Sequence, residues 1–328
     1  MLLHYLNVAI AATGIYLPQA VEPSETFDIE WGLRRGTTAR ASGVNRRYCA
    51  GVEETASMMA AAAIGMATDG LPTGLDSVDR LIVASIMSEQ PIPTTAALTA
   101  ARLSLGRPVA AYDINASCLG FLQAVEGAAM AIATGQSHGA AVVATDLARL
   151  GLDRTDRTTA PLFGDGAAAA ILTPSDGASA ILAIALETHP IGGDLCEIRA
   201  GGSRFNPLLP PPSLRDYLFR MDGVGLVRLA MTHLPGFIER VLSQAGVGIR
   251  DIACVIPHQA SRQGLKFLRN WLGPDGPPMV DILATQVSAS LPTALHEAVT
   301  SRLLRRGQLG LMVGTAAGFG MGAMVFRF

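Results

Sequence analysis

Two residues of the sequence have the chemistry of a nucleophile and its partner. Cys118 lies in the run NASCLG at 115–120, where a β-like segment ends and an apolar helical segment begins. The positive end of a helix dipole favours the thiolate at such a turn, and backbone N–H groups there can hold a developing oxyanion. A small cysteine packed in a core fits the same pattern, so position alone leaves two interpretations of Cys118 open.

His258 ends another apolar, strand-like run, CVIPHQ at 254–259. A histidine at the carboxyl end of a strand opens onto the crevice where α/β proteins bind ligands. Its neutral imidazole can donate a hydrogen bond to a thioester carbonyl or act as a base. A core histidine with satisfied hydrogen bonds is the alternative. Cys49, Cys196 and Cys254 lack a setting like that of Cys118, and we interpret them as structural.

The elements that position these residues form an internal repeat. In residues 109–145 and 278–315, a β-like run ends in Asp-Ile, and a helical segment, a Gly-Gln pair and an apolar strand follow. The helix of the first copy is apolar on nearly all sides, which is typical of a helix buried between layers. The repeat predicts two similar halves in a five-layered α-β-α-β-α fold, at 1–185 and 226–328, with a loop-rich insert at 186–225.

Composition excludes several classes of protein. The chain has 328 residues, 49% of them hydrophobic, and a formal charge of -2, which disfavours nucleic-acid binding. No apolar run is long enough for a membrane span, and the apolar start lacks the basic residues of a signal peptide. The four cysteines are scattered, so we expect no disulfide framework, no metal site and a cytoplasmic location. A dinucleotide-binding oxidoreductase is disfavoured because no GxGxxG follows the first strand.

A set of short motifs, in this order, resembles the β-ketoacyl-[acyl-carrier-protein] synthase III family of thiolase-fold condensing enzymes. The motifs are ATGIYLP at 12–18, SCLGF at 117–121, DLAR at 146–149, FGDGAA at 163–168, PHQA at 257–260 and the glycine-rich end at 314–322. The resemblance covers nearly the whole chain and implies a thiolase-like fold.

The resemblance also implies a reaction and its residues. Cys118 would take an acyl group from acyl-CoA, with the backbone N–H groups of Cys118 and Ala317 as the oxyanion hole. Malonyl-acyl-carrier protein would then lose CO₂, and the carbanion would attack the acyl-cysteine to give a 3-oxoacyl-carrier protein. His258 and an asparagine would stabilise the enolate, without cofactor or metal.

One position departs from the family's pattern. The enolate-binding asparagine aligns with Thr285, in ATQVSASLP at 284–292. A threonine hydroxyl can still donate one hydrogen bond, and the amide of Gln286 is a possible substitute if the loop shifts. Two other functions therefore remain open: acyl transfer to a hydroxyl or amine without decarboxylation, and an inactive subunit that binds acyl chains or a partner.

The resemblance assigns the binding residues as well. Trp31 and Arg149 would hold the CoA adenine. The acyl pocket would include Ser85, Met87, Ile92 and Ser288, with Ile92 reaching the pocket of the partner subunit in a homodimer. Serine hydroxyls and an arginine near the pocket make a terminal carboxylate possible, as in the similar branch that builds 3-oxopimeloyl-carrier protein for biotin from glutaryl-CoA.

A basic stripe follows His258 in the sequence. Arg262, Lys266 and Arg269 recur at helical spacing on one face of a predicted helix. Such a stripe would steer an acidic acyl carrier protein towards the site, whereas an ordinary polar helix face is the alternative.

Overall fold

The computed structural model describes residues 3–259, 261–282 and 286–328. The helices are α1 (Glu25–Glu30), α2 (Thr37–Ser42), α3 (Ala56–Thr68), α4 (Thr95–Arg102), α5 (Gly120–Ala133), α6 (Gly223–Ala245), α7 (Arg262–Leu272) and α8 (Ser290–Thr300). The strands are β1 (Leu3–Leu6), β2 (Val8–Tyr16), β3 (Ala20–Pro23), β4 (Arg46–Cys49), β5 (Arg80–Ala84), β6 (Ala110–Ile114), β7 (Ala140–Leu147), β8 (Asp165–Pro174), β9 (Ala180–Thr188), β10 (Cys196–Glu197), β11 (Arg220–Met221), β12 (Ile252–Pro257), β13 (Leu309–Ala316) and β14 (Gly320–Arg327).

Two five-stranded sheets form the frame, and they share one topology. The first sheet has the order β2-β8-β7-β5-β6, with β7, β5 and β6 parallel. The second has the order β1-β9-β14-β13-β12, with β12 and β13 parallel, and a parallel bridge from Val255 to Met279 continues it. The series β9-β14-β13-β12-Met279 therefore matches the first sheet strand for strand, and the predicted repeat is confirmed.

The helices lie in three layers around these sheets. The central helices α5 and α8 pack in one apolar cluster with residues of both sheets, such as Ile82 and Ile256. On the outer face of the first sheet, α3 contributes Met59 and Ile64 to a second cluster. On the outer face of the second sheet, α6 and α7 contribute a third, which includes Phe237. The order is α-β-α-β-α, as predicted.

Small residues allow this close stacking. Strand β2 crosses α3 at Gly14, where a β-carbon would lie 2.5 Å from the backbone nitrogen of Ala67. Any larger side chain would push the helix away from the sheet. Strand β8 also uses small side chains at buried positions, since its run of four alanines, 167–170, is fully buried. The abundance of Ala and Gly in the sequence is thus a packing requirement of the layered fold.

The ends of the predicted halves differ from the observed ones. The continuous apolar run at the N-terminus forms two strands in different sheets: β1 pairs with β9 in the second sheet, whereas β2 pairs with β8 in the first. The predicted boundary at residue 185 falls inside β9, which belongs to the second sheet. Continuous apolarity predicts that a segment is extended, but only pairing decides which sheet it joins.

The segment between β9 and α6 is mostly loop, with the short pair β10 and β11 and two 3₁₀ turns. Over the described ranges, none of the helices combines the length and apolar character needed to cross a membrane.

Candidate active site

Cys118 lies in the tight turn between β6 and α5. The turn is closed by hydrogen bonds from the N–H of Leu119 to the carbonyl of Ala116 and from the N–H of Gly120 to the carbonyl of Ser117. Ser117 has a φ of 52°, an uncommon conformation that concentrates backbone strain beside the thiol. The Cys118 sulfur accepts hydrogen bonds from its own backbone N–H and from that of Ala317. The predicted oxyanion donors thus converge on this sulfur from opposite halves of the chain.

The Cys118 thiol is protonated in the resting site. Burial raises its pKa to about 11, and the carboxylate of Asp146 acts in the same direction. Hydrogen bonds from Ser117 and from the two backbone N–H groups lower the pKa but do not compensate. The predicted preference for thiolate is therefore wrong, because removing water from the sulfur outweighs the dipole of α5. The thiol proton must leave during the reaction.

His258 stands at the carboxyl end of β12, as predicted. Its backbone N–H donates to the carbonyl of Val313 in the parallel strand β13, 2.8 Å away. The ring is buried, and this burial lowers the pKa of His258 to about 4, so the imidazole is neutral at physiological pH. Its buried Nδ1 has no hydrogen-bond partner among the described residues. A buried neutral ring with an unpaired nitrogen is suited to a ligand that supplies the missing hydrogen bond.

Gly314 in β13 brings the two halves of the site together. A β-carbon at Gly314 would lie 2.7 Å from Cβ of His258 and 3.3 Å from Cδ2 of Leu119, the neighbour of Cys118. The imidazole and the nucleophile segment therefore pack against the same glycine. Only a residue without a side chain allows this approach.

Apolar side chains surround the Cys118 thiol. The cluster against which Cys118 packs contains Val44, Ile86, Ala148, Leu152, Leu162, Phe163, Phe219, Met221 and Val287. Phe163 and Phe219 meet edge to face, with ring centroids 5.2 Å apart. A wall of this kind is complementary to a hydrocarbon chain.

Comparisons of the chain with known proteins identify its family. Models of 3-oxoacyl-[acyl-carrier-protein] synthase III match the chain at residues 112–190 and, for the C-terminal part, at residues 242–328. The chain is 32% identical to the beta-ketoacyl-[acyl-carrier-protein] synthase III of Desulfitobacterium hafniense (strain DSM 10664 / DCB-2), over 98% of each protein. The chain belongs to the 3-oxoacyl-[acyl-carrier-protein] synthase III family.

Further comparisons agree with this membership. The chain is 31% identical to the synthase III of Aquifex aeolicus (strain VF5), over 98% of this chain and 100% of the relative. The crystal structure of the synthase III from Pseudomonas aeruginosa PAO1 superposes with a TM-score of 0.85 at 29% identity, over 99% of this chain and 98% of that one. The chain is thus an acyl-transferring condensing enzyme with the thiolase fold, as the motifs predicted.

The segment at which this synthase III family member departs from the pattern is only partly described. Thr285 lies outside the described residues. The side chain of Gln286 is buried, its Oε1 accepts a hydrogen bond from Thr293 at 2.9 Å, and its Nε2 packs on Gly166. The oxygen of the Gln286 amide is therefore bonded to α8, while its nitrogen packs on β8 of the first half.

The hydroxyls of the predicted polar pocket residues bond to other protein groups. The hydroxyl of Ser85 donates to the carbonyl of Met87 at 3.1 Å, and the fully buried hydroxyl of Ser288 donates to the carboxylate of Asp146. Met87 and Ile92 lie on the surface, Ile92 with 85% of its area exposed. Of these four residues, two therefore use their hydroxyls within the protein and two reach the surface.

The basic stripe borders a large open cavity. Arg262, Lys266 and Arg269 of α7 line a cavity of about 680 Å³, together with Ala39, Ser42, Gly43, Val44, Leu162, Gln259, Ser261, Leu265, Asn270 and Asp281. Val44 and Leu162 also belong to the apolar cluster around Cys118, and Gln259 is the neighbour of His258. The cavity therefore lies at the approach to Cys118 and His258, with the basic side chains of α7 on one side.

Trp31 has a different arginine partner from the one predicted. The Arg157 guanidinium lies 5.7 Å from the centre of the Trp31 ring, and the indole N–H donates to the carbonyl of Arg154. Arg149 instead lies 3.5 Å from Asp165 and donates to the carbonyl of Ala50. Arg149 lies two residues after the end of β7 and is held against Asp165 of β8, so Arg157 rather than Arg149 contacts the Trp31 ring. Arg157 is not among the predicted binding residues, and its spacing of three positions from Arg154 is the one sign of it in the sequence.

Among the described residues, no group of three or more His, Cys, Asp or Glu side chains is arranged to hold a metal ion.

Proposed function

We propose that this chain catalyses decarboxylative Claisen condensation of an acyl-CoA primer with malonyl-acyl-carrier protein, through an acyl-Cys118 intermediate. The observation that carries the proposal is that the two halves of the repeat meet at Cys118. The N–H of Ala317 reaches the Cys118 sulfur, and the neutral ring of His258 packs on the same glycine, Gly314, as the neighbour of Cys118.

The first half-reaction transfers the acyl group. The Cys118 sulfur attacks the thioester carbonyl, and the N–H groups of Cys118 and Ala317 stabilise the oxyanion. Because the thiol starts protonated, a base has to accept its proton, and we assign this role to the neutral imidazole of His258. The proton ends on the sulfur of coenzyme A, which leaves as a thiol.

The second half-reaction forms the carbon–carbon bond. Malonyl-carrier protein loses CO₂, and His258 donates a hydrogen bond to the thioester oxygen that becomes the enolate oxygen. The enolate carbon attacks the acyl carbonyl and expels the Cys118 thiolate, which yields the 3-oxoacyl-carrier protein, and the thiolate then takes up a proton from water. Thr285 is proposed as the second enolate donor; loss of one such donor costs about 2.7–4 kcal/mol in the transition state.

The apolar wall around Cys118 supports an uncharged aliphatic primer. A glutaryl primer would place a carboxylate beside that wall, and the side chains predicted to bind it, Ser85, Arg149 and Ser288, all bond to protein groups. We therefore favour a straight or branched acyl-CoA over glutaryl-CoA and over the biotin branch.

Three further roles belong to the proposal. Arg262, Lys266 and Arg269 guide the acidic carrier protein to the cavity. Trp31 and Arg157 hold the adenine of coenzyme A between an aromatic ring and a guanidinium. A homodimer brings the exposed Ile92 of one protomer to the acyl pocket of the other.

All four cysteines are free thiols, which is consistent with a reducing cytoplasm.

Intact-mass analysis with acetyl-, octanoyl- and glutaryl-CoA tests the proposal. We expect one acyl adduct with the aliphatic primers and none in Cys118→Ala. Malonyl-carrier protein should then give CO₂ and a 3-oxoacyl-carrier protein. Acylation without CO₂ release, with transfer to an added amine or alcohol, would establish the non-decarboxylating acyltransferase that Thr285 leaves open. Failure of every acyl-CoA to modify Cys118 would overturn both enzymatic functions, and an adduct with glutaryl-CoA alone would reverse the assignment of the primer.

A further inference from the structure

A buried carboxylate beside the catalytic pair has no role in the chemistry described so far. Asp146, near the end of β7, is 2% exposed and forms no salt bridge within the described chain. Its Oδ1 accepts from the backbone N–H of Ile86 at 2.9 Å, and its Oδ2 accepts from the backbone N–H of Ser288 at 2.9 Å and from the Ser288 hydroxyl. One carboxylate thus ties a loop of the first half to a turn of the second.

The hydrogen bonds of both carboxylate oxygens hold backbone that belongs to, or adjoins, the apolar wall around Cys118. Ile86 itself packs in that wall, and Val287, the residue before Ser288, is one of its buried members. Val287 has a φ of 52°, a conformation that a β-branched residue adopts only when its surroundings enforce it. The bonds from Ser288 to Asp146 supply that restraint. The turn they fix begins one residue after Thr285, the proposed second enolate donor.

We propose that Asp146 is a positioning residue of the condensation site, whose carboxylate fixes two walls of the acyl pocket and the turn that follows Thr285. The inference rests on the proposed role of Cys118. The same carboxylate has a second effect, because its negative charge also opposes ionisation of the Cys118 thiol.

The hydrogen bonds of Ser288 accommodate both protonation states of this carboxyl. The Ser288 hydroxyl lies 3.3 Å from the carbonyl of Ala84 as well as beside Asp146. When Asp146 is ionised, the hydroxyl donates to it; when Asp146 is protonated, it donates to the hydroxyl, which turns to Ala84. Burial raises the pKa of Asp146 to about 7, and Asp165 on β8 acts in the same direction.

Two titratable side chains among the described residues interact electrostatically with Asp146. Asp165 faces it from β8 and is itself paired with Arg149, and the Cys118 thiol faces it from the start of α5. At pH 9 Asp146 is ionised while the thiol is still mostly protonated. Removing the charge at that pH therefore makes the thiol easier to ionise.

Asp146→Asn tests the inference, since the amide is isosteric but has one acceptor oxygen instead of two and no charge. We expect iodoacetamide to alkylate Cys118 about threefold faster at pH 9, for a thiol pKa lowered by about half a unit. We expect kcat for condensation to fall by about tenfold or more in the folded variant. Because a loosened fold would also expose the thiol and speed alkylation, the charge effect is assigned by comparison with a variant that weakens the same turn and keeps the charge.

Ser288→Ala is the matched variant, because it removes one hydrogen bond and keeps the charge. It should slow condensation several-fold without faster alkylation, and it decides the question if Asp146→Asn does not fold. Asp146→Asn with both rates within twofold of the parent, or with both reduced together, would overturn the inference. So would an unchanged kcat in Ser288→Ala. A parent enzyme that no acyl-CoA acylates would instead refute the proposed function, so the two failures are distinguishable.

Discussion

Gly314→Ala probes the contact that joins the two halves of the site. The added methyl carbon would stand 2.7 Å from Cβ of His258, whereas carbon atoms in contact are ordinarily about 3.5–4.0 Å apart. One of the two residues must therefore move by about 1 Å. Both are held, because the backbone of His258 is hydrogen-bonded to β13 at Val313. A shift of about 1 Å at a catalytic group costs about 10²-fold in rate, and overpacking costs about 1–3 kcal/mol of stability.

The assay separates these two costs. Steady-state condensation with malonyl-carrier protein measures kcat, urea unfolding measures stability, and intact mass reports acylation of Cys118. Gly310→Ala is the control in the same strand: its methyl carbon would lie 2.7 Å from the ring of Phe326, far from the imidazole. We expect Gly310→Ala to lose stability and keep kcat, and Gly314→Ala to lose both. A folded Gly314→Ala enzyme with the parental kcat would refute the reasoning, as would an equal loss of kcat in Gly310→Ala.

Three other predictions follow from the site. The pKa of His258 is about 4 in the folded protein and ordinarily 6.5, so the unfolded chain binds the proton first as pH falls. The neutral His258 should therefore destabilise the parent by about 2 kcal/mol relative to His258→Gln as the pH falls from about 7 to about 5, as measured by urea unfolding of both proteins. The comparison is needed because the raised pKa of the Asp146 carboxyl acts in the opposite direction in both proteins. Alkylation of Cys118 by iodoacetamide should rise about tenfold per pH unit from pH 7 to pH 10, because its pKa is about 11; a plateau near pH 8 would contradict this. Arg157→Ala should raise the KM for acyl-CoA about three- to tenfold with little change in kcat, whereas Arg149→Ala, which removes the partner of a buried carboxylate, should mainly lower stability.

The sequence by itself determined the layered architecture, because its periodicities are local and they repeat. The apolar central helix, the Asp-Ile strand ends and the Gly-Gln pairs recur in both halves, and the sheets have matching topology. Cys118 and His258 could also be found, since each stands where a strand ends, and the ends of parallel strands open onto a ligand crevice. The motif set was specific enough to predict the family that the comparisons show.

The tertiary structure alone decided what depends on distance and on the removal of water. Helix position predicted a thiolate at Cys118, but burial, a property of the whole fold, raises the pKa of that thiol. The family resemblance assigned Arg149 as the partner of Trp31, yet the loop after β7 brings Arg157 there instead. The bond from Asp146 to Ser288 joins residues 142 positions apart. No local pattern encodes such a pair, because the contact exists only after both halves have packed on the shared central helices.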